Sequence, residues 1–130
     1  METQVVLDFI AAINSANIDK IYKLMATDHV FIDSQDNKVT GQTIMKQAWI
    51  QYFTLFPDYK IEINEILHKG SLICAFGYAS GTFKNIINKD NSNYWRVPAA
   101  WRALVKDDHI KLWQVYADNI IVSDIINKNK

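Results

Sequence analysis

Two aspartates close apolar runs, and proton chemistry would be expected there. Asp118 ends the stretch Trp113-Gln114-Val115-Tyr116-Ala117-Asp118-Asn119, whose first residues alternate apolar and polar as a strand does. Asp33 follows Val30-Phe31-Ile32. A carboxylate at the mouth of a dry cavity resists ionising and can pass a proton to or from a ligand. Two carboxylates in one apolar cup push their pKa values apart. The expectation is therefore a catalytic pair, Asp118 and Asp33, with His29, two residues before Phe31, sharing the pocket with Asp33 as a ligand-binding residue. Each aspartate also has a plainer reading. Asp118, with Asn119, can cap the tail that follows. Asp33 can start a turn by bonding the backbone of residues 34–36.

The wall that would hold a ligand is aromatic. Trp49, Tyr52, Phe53 and Phe56 form a helical stripe, and one or two of them are expected to touch ligand. Trp95, Val97, Ala99 and Trp101 alternate onto one strand face, with Trp101 the ligand contact expected from it, while Tyr94, Arg96, Ala100 and Arg102 take the other. For both arginines an ion pair at the surface is favoured over an anionic ligand. His68 and His109 are read as surface residues. Together with His29 they lack the close spacing of a metal site, so no metal or cofactor is expected.

These residues need elements to position them. Thr3 opens a first helix carrying Val5, Val6, Phe9, Ile10 and Ile13 and ending near Asn14-Ser15. Asn17 caps a second, with Ile18, Ile21, Tyr22, Leu24 and Met25 apolar. Val30-Phe31-Ile32 reads as a short strand and Ser34 to Asn37 as a turn. Thr40-Gly41 introduces a third helix over 42–56, which Pro57 stops. Its apolar residues cover more than half its circumference, so it should be buried on two sides. Four strands follow, over 60–68, 71–83, 94–106 and 109–118. Lys69-Gly70 and Asp107-Asp108 make turns, and Lys84 to Asn93 is a polar loop with an Ile86-Ile87 patch. Gly77 and Gly81 mark bends or bulges, and Pro98 a bulge or an edge. The tail from Ile120 docks as a short helix or an arm. Strands joined by short turns, with helices to one side, predict an α+β fold with an antiparallel sheet. A long bent sheet around a helix makes a cone with a hollow at its wide end.

The chain has 130 residues, enough for one domain with a real core. Its 14 basic and 14 acidic residues cancel, which argues against nucleic acid or an anionic membrane as partner and leaves self-association unopposed. No run approaches the roughly 20 apolar residues of a membrane span. The single cysteine, Cys74, permits no internal disulfide, and no secretory signal opens the chain, so a cytoplasmic location is expected. Six Phe, six Tyr and four Trp are more rings than so small a core needs, which favours a ligand cavity.

Three stretches resemble the SnoaL-like (polyketide cyclase-like) branch of the nuclear transport factor 2-like superfamily. They are His29 to Asp33 with Thr40-Gly41, Tyr52-Phe53 through Phe56-Pro57-Asp58-Tyr59, and Trp95 to Arg102 with the closing Trp113 stretch. The resemblance implies a cone-shaped (cystatin-like) α+β fold, usually homodimeric through its sheet, with a pocket between sheet and helices. It also implies a small apolar or polycyclic ligand. Asp118 matches the acid/base of cyclases and Asp33 the base of ketosteroid isomerases. The isomerase residues that polarise the ketone correspond here to Phe9 and Ala100, and around Arg102 the Asp of epoxide hydrolases is missing. The resulting expectation is a pocket protein with cyclase-, isomerase- or lyase-type acid/base chemistry. Its alternative is a non-catalytic binding or dimerisation module.

Overall fold

The computed structural model describes residues 2–84 and 93–129. The expected Ile86-Ile87 patch lies outside them. The fold is α+β: among the described residues there are four helices and a curved, unclosed six-stranded sheet in the order β2-β1-β6-β5-β4-β3. No described helix is long and apolar enough to cross a membrane.

Helix α1 (Glu2–Asn14) buries the stripe its spacing predicts, with Phe9 edge-on to Trp113 at 5.0 Å between ring centres. Helix α2 (Ile18–Leu24) starts at Asn17, whose side chain accepts from the Lys20 N–H as an N-cap should. Strand β1 (Met25–Ile32) follows without a loop, longer than the three residues expected. Met25 has helical spacing but extended backbone, and its side chain is fully buried. Tertiary packing overrides the local pattern there. A second strand not foreseen, β2 (Lys38–Thr40), folds back antiparallel to β1 across the Ser34–Asn37 turn.

Helix α3 (Gln42–Leu55) covers the expected residues but is not buried on two sides. Met45 and Trp49 are buried, while Ile44, Ile50 and Leu55 are exposed. Gly41 before it has φ 111°, a region open to glycine. Strands β3 (Lys60–Lys69), β4 (Leu72–Thr82), β5 (Tyr94–Lys106) and β6 (His109–Ala117) make the expected antiparallel meander. The sheet is not wholly antiparallel, however. Strand β1 lies parallel to β6, with Phe31 opposite Trp113. Strand β2, helix α3 and strands β3–β5, which lie between β1 and β6 in the chain, supply the crossover that a parallel pair requires.

Edges and bends follow from particular residues. The Asn14 side chain both donates to Ile61 O and accepts from Ile61 N–H, at 2.9 and 2.7 Å, completing the free edge of β3. The β3 register shifts between Ile63 and Glu65, opposite Gly77. A Cβ on Gly77 would lie 1.7 Å from Glu62 O, so only glycine allows that approach. Pairing of β5 with β6 starts at Ala99↔Ala117, leaving Pro98 where β5 has a free edge on that side. The tail forms helix α4 (Ile120–Lys128), which buries Val122 and Ile125.

Candidate functional site: an aromatic cavity

Strand alternation turns Trp95, Val97 and Trp101 of β5, and Trp113, Val115 and Ala117 of β6, toward the helices. Helix α3 faces them with Met45, Ala48, Trp49 and Tyr52. Between the two lies a cavity of about 290 Å³. All four tryptophans of the chain line it.

The turn after α3 brings one more ring. Pro57 ends the helix, and Asp58 accepts from both the backbone N–H and the hydroxyl of Thr82, each at 2.7 Å. That anchor fixes the turn and sends Tyr59 into the wall. Tyr59 stands between two tryptophans, 6.4 Å from Trp49 and 6.1 Å from Trp95 by ring centres, and meets Tyr52 edge-on at 5.0 Å. Desolvation pushes the hydroxyls of Tyr52 and Tyr59 well above the ordinary tyrosine range, and the nearness of Tyr59 adds to the shift at Tyr52. Both are therefore neutral and able to donate. No described residue accepts from the indole N–H of Trp49 or Trp95.

The rim is polar. Asp33, Ser34 and Asn119 line it, and the Asn119 amide donates to the Ser34 hydroxyl at 2.7 Å, tying the β1–β2 turn to the start of α4. Asp33 starts that turn. One of its oxygens accepts from the Gln35 and Asn37 N–H groups, both at 2.9 Å, and the other from the Asn37 side chain at 3.0 Å. Partial desolvation raises its pKa, but these donors outweigh it and hold the carboxyl below the usual range. Asp33 is thus an ionised carboxylate held by hydrogen bonds, and a weak base.

The predicted residues divide. Trp49, Tyr52, Trp101 and Asp33 meet on the cavity. Phe53 does not reach it and stacks on Trp49 from behind, at 5.5 Å. Phe56 is likewise displaced, packed against Tyr52, Phe83 and Trp95. His29 is fully buried but belongs to the sheet. Its Nδ1 lies 2.7 Å from Ile110 O, where the β1–β6 register breaks, so the ring N–H stands in for a ladder donor. Asp118 corrects the opening expectation of a carboxylate at the cavity mouth. It is exposed, and its carboxylate accepts from the Ile120 N–H at 3.0 Å at the start of α4. Trp113, Val115, Ala117 and Asn119 share the inward parity, so Asp118 must point out. Arg96 pairs with Glu62 at 2.7 Å and lies over Tyr78, while Arg102 donates to Gln114. Neither lines the cavity.

A family model for the SnoaL-like domain matches residues 6–121. The chain belongs to the SnoaL-like domain family. No curated protein matches it in sequence. Its fold is similar to that of a protein provisionally assigned as a SnoaL-like polyketide cyclase from Shewanella denitrificans, with a TM-score of 0.81, 15% identity, and coverage of 98% of this chain and 97% of that one. It is also similar to an LEH-like epoxide hydrolase of M. tuberculosis, with a TM-score of 0.78, 13% identity, and coverage of 97% and 89%. A hypothetical protein of Catenulispora acidiphila with a ketosteroid isomerase-like fold, solved in complex with trimethylamine, gives a TM-score of 0.76 at 17% identity, covering 89% and 86%. At these identities the likeness is one of fold.

Within this SnoaL-like domain, Phe9 is core and Ala100 faces away from the cavity, opposite Phe76 and Tyr116. Sequence reasoning did not single out Tyr59, Trp95, Trp113 and Asn119 as ligand contacts. The signal for the last three was present: Trp95 shares the parity of Trp101, and Asn119 that of Trp113. Tyr59 carried none, because its placement depends on the bond between Asp58 and Thr82.

Proposed function

We propose that this SnoaL-like domain binds a small, mostly apolar molecule in the cavity between α3 and the inner sheet face. The observation that carries the reading is the convergence of all four tryptophans on one cavity of about 290 Å³. Close-packed cores leave few voids larger than a water molecule, whereas ligand sites are apolar, aromatic and concave. Of the two sequence-based readings, the geometry favours ligand binding over acid/base turnover. Asp118 lies outside the cavity, and both oxygens of Asp33 are already engaged. Asp33, Ser34 and Asn119 instead form a polar lip that orients a ligand's wetter end. The same proposal has two copies pair through the outer sheet face, where Phe76 and Tyr116 are exposed, unopposed by net charge.

Tryptophan fluorescence tests the binding reading, because every indole borders the cavity. Titration with tetralin, a bicyclic hydrocarbon small enough for this volume, should quench or shift the emission saturably and raise the unfolding temperature. Emission that does not move up to the solubility limit would remove the proposed function.

A further inference from the structure

We infer that the cavity is selective for an organic cation, a quaternary-ammonium-type head on an apolar body, held by aromatic walls and the Asp33 carboxylate at the rim. The inference rests on the binding proposal and adds the charge of the ligand. Among the described residues no Lys, Arg or His lines the cavity, and Asp33 is its one charged residue. The donors of its turn keep that carboxylate ionised. The Tyr52 and Tyr59 hydroxyls are neutral, so Asp33 alone sets the formal charge of the lining, which is negative. Its field acts along low-dielectric walls rather than through bulk water, which strengthens it.

The walls carry the same sign. The face of an aromatic ring is the negative side of its quadrupole and attracts cations, Trp most strongly. Trp49 turns such a face inward. Phe53 stacks on one side of its indole, with 26° between the ring planes, and does not itself reach the cavity. Trp49 does reach it, so the side left to meet the cavity is the opposite face. The indole nitrogens of Trp49 and Trp95 are sealed within the wall, so these two rings front the space with carbon and π density rather than with a donor. A quaternary ammonium suits such a wall, because it has no N–H to satisfy. An anionic ligand would meet the Asp33 charge and the ring faces with no compensating cation in the lining.

The test compares phenyltrimethylammonium with tert-butylbenzene, two probes of the same shape that differ by one charge, on the whole chain. In a neutral apolar cavity the cation forfeits its hydration and binds more weakly than the hydrocarbon. Here the cation is expected to bind about tenfold more tightly, read from tryptophan emission, and to displace tetralin. This comparison requires no variant. Asp33→Asn keeps an oxygen for the Gln35 and Asn37 N–H groups and removes the charge. It should cut the preference for the cation by roughly threefold or more. Cation binding no tighter than that of tert-butylbenzene would overturn the inference and leave the cavity proposal standing. A preference that Asp33→Asn leaves intact, or a cation that fails to displace tetralin, would overturn the assignment of the cation to this site. Binding of neither probe would overturn both the inference and the cavity proposal.

Discussion

His29 gives the residue scale its clearest reading. A histidine two residues before Phe31 invited a site role, yet its ring lies in the sheet, with Nδ1 held to Ile110 O at 2.7 Å. Burial lowers its pKa below the ordinary histidine value. The bond to Ile110 and the nearby Asp28 carboxylate act the other way and do not offset it. The consequence for stability has a definite sign. Well above pH 6.5 both the folded and unfolded states carry a neutral ring. As pH falls through about 6.5, the unfolded chain takes up a proton that the folded chain refuses, so stability declines until the folded pKa is reached. Urea unfolding between pH 7.5 and 5 should show this decline, at up to about 1.4 kcal/mol per pH unit for one proton. His29→Asn, which keeps an amide donor for Ile110, should flatten it. A wild-type midpoint independent of pH over that interval would contradict the assignment.

At the scale of elements, Gly77 is the position where one atom decides a strand. Its missing Cβ allows Glu62 O to approach, and the β3 bulge sits opposite. Gly77→Ala must push the two strands apart and should cost roughly 2–3 kcal/mol in urea unfolding, as overpacking typically does. An unchanged midpoint would mean that the sheet bends there for another reason. The sequence announced this glycine, the α1 stripe, the Asn17 cap and the turn at Asp107-Asp108. All of these are local signals of period, cap and turn chemistry, and the elements formed where they pointed. Strand β2 and the parallel pairing of β1 with β6 left no such trace. They depend on partners far along the chain, and Ala26-Thr27-Asp28 has neither clear alternation nor an apolar run. The site followed the same division. The α3 stripe was legible as a stripe, but not which of its rings reach the cavity, since Phe53 follows Tyr52 by one residue and Phe56 by about one turn, just past the helix end. Asp118 was misplaced by a single residue of strand parity, enough to move a side chain to the opposite face.

For the molecule as a whole, the sheet separates two surfaces of different composition. The inner face carries the tryptophans. The outer face carries Phe76 (41% exposed), Tyr116 (52% exposed) and Pro98, which line a shallow groove. Phe76 and Tyr116 both neighbour Ala100 across the ladder, so the apolar patch is continuous from β4 to β6. With 14 positive and 14 negative residues, no long-range repulsion keeps two such faces apart. Light scattering at tens of micromolar should therefore give twice the 15.0 kDa chain mass. The paired variant Phe76→Glu/Tyr116→Glu should give the single mass, because four carboxylates would then meet in one interface. Both side chains are already solvated in the single chain, so the variant should fold. Its cavity lies across the sheet, and tetralin should quench its tryptophans as in the wild type. A wild-type mass of 15.0 kDa under these conditions would refute the pairing. A charged variant that is monomeric but no longer binds tetralin would mean that the partner copy shapes the cavity, and the two faces would then be one functional unit.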